Sequence, residues 1–110
     1  EGSSKEDFKE FPVDVQKDMG VALFVVQLGG TPDSAKPWKG LGSKVYELME
    51  DYRSDTFRVV YTVRFDDAVH VLHAFQKKSK SGIATPQPDV ELIEKRLKAV
   101  LARYGASRRT

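Results

Sequence analysis

Between Thr56 and Phe65 the apolar side chains Phe57, Val59, Tyr61, Val63 and Phe65 alternate with Thr56, Arg58, Val60, Thr62 and Arg64. A period of two is the mark of a β-strand with unlike faces. The next stretch, Ala68–Lys77, is rich in apolar residues on both parities and predicts a central strand. Asp66-Asp67 between them suits a two-residue turn, because Asp tolerates left-handed backbone and bonds locally. Val45–Glu50 predicts a preceding strand, with Tyr46 and Leu48 on one side and Val45, Glu47 and Met49 on the other. With a two-residue turn Phe65 faces Ala68, and Arg58 then lies opposite Phe75 with His73 and Lys77 diagonal to it. Opposed positions are ~5 Å apart and diagonal ones ~7–8 Å, so Arg58, His73, Phe75 and Lys77 would share one face. A three-residue turn would break the grouping, since a slip of one residue exchanges the two faces.

The flanks read as helices. Ser3 followed by Glu6 has capping-box spacing and predicts a short helix over about Ser4–Glu10. Pro12 suits the first turn of a second helix, which runs to about Leu28 with Val15, Met19, Ala22 and Val26 on one face. Gly29-Gly30 is its stop, and Gly20 within it costs up to ~1 kcal/mol relative to alanine and allows a bend. Thr31–Ser43, dense in Pro, Gly and Ser, reads as a loop anchored by Trp38, and Ser79–Gln87 as another. Pro88 opens the last helix, with Asp89 and Glu91 in its first turn, where the helix dipole favours acids. Its stripe is Val90, Ile93, Leu97, Val100, Leu101 and Tyr104; Gly105 ends it, and 106–110 is a basic tail expected to fray. The order ααβββα predicts a single α+β domain over 1–110, with two N-terminal helices, an antiparallel sheet and a C-terminal helix.

Composition narrows the chemistry. A chain of 110 residues supports one core and no separate regulatory module. It has no cysteine, which excludes disulfides and thiolate metal sites, and no other metal-ligand spacing is visible. The apolar run Val21–Leu28 is far shorter than the ~20 residues of a membrane span, so the expectation is a soluble cytoplasmic protein with no cofactor and no metal. Net charge is only +2, but it is unevenly spread: Glu1, Glu6, Asp7, Glu10, Asp14 and Asp18 crowd the first twenty residues, whereas Ala68–Pro88 holds no acid. Lys36, Lys39 and Lys44 form one cationic patch, and Lys77, Lys78 and Lys80 another. Such segments attract phosphate, although most lysine runs are simply solvated loops.

Glu47-Leu48, Phe57-Arg58-Val59-Val60-Tyr61, the run Leu72-His73-Ala74-Phe75-Gln76-Lys77-Lys78-Ser79-Lys80, and Ile83-Ala84-Thr85-Pro86 ahead of a helix together resemble the Gp49-like toxins of the HigB branch of the RelE/ParE superfamily. The likeness covers Ser3 to about Leu101, and the run from Leu72 to Lys80 is its most specific part. It implies a small RelE-like, microbial-RNase-like fold. It also implies a toxin of a type II toxin–antitoxin system: an endoribonuclease that cleaves mRNA on the ribosome without a metal, held inactive by a helix-turn-helix antitoxin. Its partners would be that antitoxin, the ribosome and mRNA. The chemistry is attack of a ribose 2′-hydroxyl on the adjacent phosphate, which needs cations at the phosphate and groups to accept and return protons.

Carried onto this chain, the resemblance gives Arg58 the contact to the scissile phosphate. The family's second cation falls on Lys78 by motif, whereas the strand register favours Lys77; a β-bulge near Gln76 would reconcile them. Lysine offers a point charge where arginine would grip phosphate with two hydrogen bonds. His73 is a candidate for proton transfer, weighed equally against a packed imidazole with locally bonded nitrogens. Glu47 is a candidate base, weighed equally against a partner for Arg58 or Lys44, and Tyr61 belongs to the core on the other face. Lys36, Lys39, Lys44, Arg53, Phe75 and Lys80 are the candidate RNA contacts. Two departures stand out: Met49 where some relatives carry arginine, and Gly82–Thr85 where some carry tyrosine or aspartate. The alternative is a non-catalytic ParE-like binder, a gyrase inhibitor or a degenerate homologue that binds only antitoxin.

Overall fold

The structure is a computed structural model. It describes residues 2–38, 44–64, 68–78 and 86–108, apart from the side chains at 64, 68, 77, 78 and 104–108. The described elements are α1 (Ser4–Lys9), α2 (Val13–Gln27), β1 (Ala35–Pro37), β2 (Val45–Tyr52), β3 (Asp55–Arg64), β4 (Ala68–Lys78) and α3 (Gln87–Arg108). The strands form an antiparallel meander in the order β1-β2-β3-β4. The domain is α+β, a RelE-like arrangement of helices on an antiparallel sheet with a C-terminal helix.

Period-two alternation divides the apolar residues between two cores. On one sheet face Leu48, Phe57, Val59, Tyr61 and Ala74 pack against Phe11, Val15, Met19 and Val26 of the N-terminal helices. On the other face Val45, Val60, Leu72 and Phe75 pack against Ile93, Leu97 and Val100 of α3, with Trp38 alongside. The two cores make a three-layer sandwich with the sheet in the middle.

Several expectations are corrected. The loop expected at Thr31–Ser43 contains the edge strand β1, so the sheet has four strands where the pattern predicted three. Three residues are too few to show an alternation. The strand read as central, β4, is an edge. It is apolar on both sides because α1 covers one face and α3 the other.

The edge carbonyls of β4 are satisfied from outside the sheet. Ser4 Oγ donates to the Val71 carbonyl at 3.1 Å, and Arg96 Nη1 donates to the Leu72 carbonyl at 2.8 Å. Ser3 makes no side-chain cap; its hydroxyl donates to Asp7 Oδ2 at 2.8 Å. At the far end of α2, Gly29 has φ +91°, and Gly30 and Gly29 donate to the Val25 and Val26 carbonyls, both at 2.9 Å. These two bonds form a Schellman stop. Gly105 does not end α3, which continues to Arg108, and Leu101 is exposed.

The pairing of β3 with β4 holds the main surprise. Arg64 pairs with Ala68, leaving 65–67 between them, one residue more than the expected two-residue turn. A register shift between Val60 and Tyr61 then offsets that extra residue: Tyr61 pairs with Val71 and Val60 with His73, so Leu72 is the bulged residue. From there to the strand end, Arg58 lies opposite Phe75, Thr56 opposite Lys77 and Asp55 opposite Lys78. The pairing runs unbroken from Val60 to Asp55, so there is no bulge near Gln76, and the register shift lies at Leu72 instead. It places two consecutive residues, Leu72 and His73, against α3.

Candidate functional site

The α3 side of the sheet carries two polar rows. Lys36, Glu47, Val60 and His73 are successive cross-strand partners, and Met49, Arg58 and Phe75 form the next row. Arg58 is only 8% exposed and His73 only 6%. Burial of two such groups demands partners. Arg58 Nη1 reaches Glu47 Oε2 at 3.4 Å. His73 Nε2 reaches Asp89 Oδ1 at 2.7 Å, and its ring stacks on Phe75 at 4.7 Å between centroids. The other ring nitrogen, Nδ1, is buried and has no hydrogen-bond partner among the described residues.

Each position follows from local structure. Strand alternation puts Glu47 and Arg58 on one face, the Leu72 bulge turns His73 to that same face, and the first turn of α3 brings Asp89 over it. The geometry thus joins Arg58, Glu47, His73 and Phe75 of the predicted residues. Asp89, expected only to complement the helix dipole, is the member that sequence reasoning missed. It lies sixteen residues from His73, on another element and in no motif spacing, so no signal in the chain pairs the two.

The remaining candidates lie around this centre. Lys36 is exposed on β1. Lys44 is exposed with φ 69°, and its carbonyl accepts from Thr62 Oγ1 at 2.7 Å. Arg53, in the β2–β3 turn with φ 60°, is exposed and sits 5.3 Å from the Tyr52 ring centroid. Lys44 and Arg53 flank opposite ends of β2, roughly 25 Å apart for a strand of that length, and do not converge. The backbone of β4 carries Lys77 and Lys78 opposite Thr56 and Asp55, while their side chains, with Lys39 and Lys80, lie outside the described residues. Among the described residues no group of three or more His, Asp or Glu side chains is placed to hold a metal ion, and no described helix is long and apolar enough to cross a membrane.

Among the described residues two groups have displaced acidities, and both belong to the opposite face. Tyr61, 2% exposed and stacked on Tyr46 at 5.6 Å, is pushed up to about 12, first by burial and then by Tyr46. It is a neutral core hydroxyl. Glu50 of β2 is pushed up to about 7 by burial, by a hydrogen bond with Asp18 and by the charges of Asp18 and Asp14 on α2.

No curated protein and no solved structure matches the chain significantly. A family model described as phage-derived protein Gp49-like (DUF891) matches residues 6–98, a span that runs from α1 through the whole sheet into α3 and includes Arg58, Glu47, His73 and Asp89. The chain therefore belongs to the Gp49-like family, a family of RelE/HigB-like toxins.

Proposed function

We propose that the protein is the toxin of a type II toxin–antitoxin system and acts as a ribosome-dependent mRNA endonuclease. The observation that carries this reading is the buried His73, with one nitrogen on Asp89 and the other without a partner among the described residues, on the same face as Arg58. In the proposed reaction the 2′-oxygen bonds to phosphorus and the bond from phosphorus to the 5′-oxygen breaks. His73 takes the hydroxyl proton, the departing 5′-oxygen takes a proton from water and leaves as a hydroxyl, and Asp89 holds the imidazole in orientation. Arg58 offsets the charge that builds on the phosphoryl oxygens, with Glu47 fixing its guanidinium. Lys77 has the same strand parity as His73 and Phe75 and is the preferred second cation; Lys78 is the alternative. The ribosome supplies substrate orientation, so free RNA is cut poorly. Because Arg58 and His73 are almost fully covered, the first turn of α3 has to yield for RNA to enter.

That same burial favours a second reading, in which the His73–Asp89 contact only clamps α3 to the sheet, the Arg58–Glu47 pair only ties β3 to β2, and the chain is a ParE-like binder. A ribosome-programmed cleavage assay separates them. Messages cut to cyclic-phosphate ends, with cutting lost in Arg58→Ala and His73→Gln at retained circular dichroism, support the nuclease. Cutting that survives both substitutions refutes these roles. Intact messages with inhibited gyrase support the binder.

A further inference from the structure

The bulge at Leu72 decides which face His73 presents. Ahead of it Tyr61 pairs with Val71, and beyond it Val60 pairs with His73. Were the pairing unbroken there, Leu72 would oppose Val60 and His73 would oppose Val59, whose side chain packs against the N-terminal helices. A slip of one residue exchanges the two faces, so His73 would lie across the sheet from Arg58 and Asp89. The apolar side chains of β4 do not choose between these registers. Leu72 faces α3 in either, and the strand is apolar on both parities from Val69 to Phe75.

Contacts from α3 select the observed register. Arg96 Nη1 donates to the Leu72 carbonyl at 2.8 Å, and Asp89 Oδ1 meets His73 Nε2 at 2.7 Å. Two consecutive residues of β4 are thus held by two residues seven apart on α3, nearly two turns along one helix face. Ile93 lies between them in the chain and packs in the same core as Leu72. A bulge leaves backbone groups of its extra residue outside the ladder, and a covered carbonyl without a donor is costly. β4 is an edge, so no further strand supplies that donor. The planar fork of arginine serves two acceptors at once: Nη2 donates to Ser3 Oγ at 3.2 Å, and Ser3 Oγ donates to Asp7 Oδ2 at 2.8 Å. Gly2, at φ +54°, carries the chain over the guanidinium, where a Cβ would lie 2.8 Å from Nη2. Arg96 is therefore oriented from the α1 side as well and is not a solvated helix cation.

We propose that Arg96 is a positioning residue of the nuclease site: by holding the Leu72 carbonyl it fixes the bulge, and the bulge turns His73 toward Asp89 and Arg58. The inference deepens the nuclease reading and rests on it for the catalytic consequence. Control over the face of His73 rests on the register alone.

The test uses the full chain with isotope-labelled histidine, read by proton–nitrogen correlation spectra of the imidazole rings. His73→Gln assigns the signals against His70. Arg96→Met keeps an aliphatic stem and removes every donor, whereas Arg96→Lys keeps a cationic donor without the fork. Val15→Ala, in the other core, is the control for lost stability. In the parent, neutral His73 should carry its proton on Nε2, the tautomer that donates to Asp89. Arg96→Met should lose that signature, and its ribosome-dependent kcat should fall about tenfold or more with KM within about twofold of the parent. Arg96→Lys should recover most of both, and Val15→Ala should keep the parental ring signals. If Arg96→Met does not fold alone, its spectrum is recorded in sucrose, which favours the folded state. A parental signature in folded Arg96→Met, an Arg96→Lys no better than Arg96→Met, or the same loss in Val15→Ala would overturn the proposal. A parent that cuts no message while its His73 signature still depends on Arg96 refutes the nuclease reading and upholds the positioning of His73.

Discussion

Glu50 makes stability depend on pH in a direction opposite to that of most carboxylates. Its carboxyl is raised from 4.5 to about 7 in the folded chain, by burial against the sheet first, then by the hydrogen bond and charge of Asp18 and the charge of Asp14. Between those two values the native state holds a proton that the unfolded chain has released, so unfolding releases a proton and stability falls as pH rises. The contribution is fully present below about pH 4.5 and is lost as pH passes through about 7. An undiscounted shift of that size corresponds to about 3 kcal/mol. Solvent reaches this partly covered carboxylate and weakens the repulsion, so about 1–2 kcal/mol is the expected loss. Glu50→Gln removes the titration: at pH 8 it should be more stable than the parent by that amount, and at pH 4.5 nearly equal to it. Urea titrations of both proteins from pH 4.5 to 8 measure the difference profile, in which the histidines cancel. Parallel profiles, or a parent that gains on the variant with rising pH, would refute the reasoning.

Gly20 within α2 and Gly29 just beyond it should respond oppositely to alanine. Gly29→Ala places a Cβ at φ +91° in the helix stop and should cost about 1–2 kcal/mol, whereas Gly20→Ala should add up to about 1 kcal/mol. Equal signs in chemical denaturation would contradict the assigned conformations. Leu72→Ala, at the bulge and fully buried under α3, should cost about 2–5 kcal/mol, and a melting temperature unchanged by it would argue against the described packing. Asp89→Asn should lower ribosome-dependent cleavage more than it lowers the melting temperature, as expected for a group that positions His73. A proportionate loss of both would make Asp89 a clamp and nothing more.

The alternation from Phe57 to Val63, the helical stripe of Val15, Met19 and Val26, and the paired glycines after Leu28 are local codes. Each is written in neighbouring residues, so the chain alone determined those elements, the two faces of β3 and the α+β class. The pairing of Arg58 with Phe75 was legible too, but for an incomplete reason: an extra residue at 65–67 is offset by the bulge at Leu72, and the two displacements cancel. Strand β1 was hidden because three residues carry no period. The edge position of β4 was hidden because apolarity on both faces reports cover, and helices supply that cover as well as strands do. Only the tertiary structure decided that His73 meets Asp89, that Glu50 is crowded by Asp14 and Asp18, and that Arg96 reaches the Leu72 carbonyl. Those contacts join residues far apart in the chain. Their energies come from burial and from charge across a gap of a few ångströms, quantities that exist only once the layers have packed.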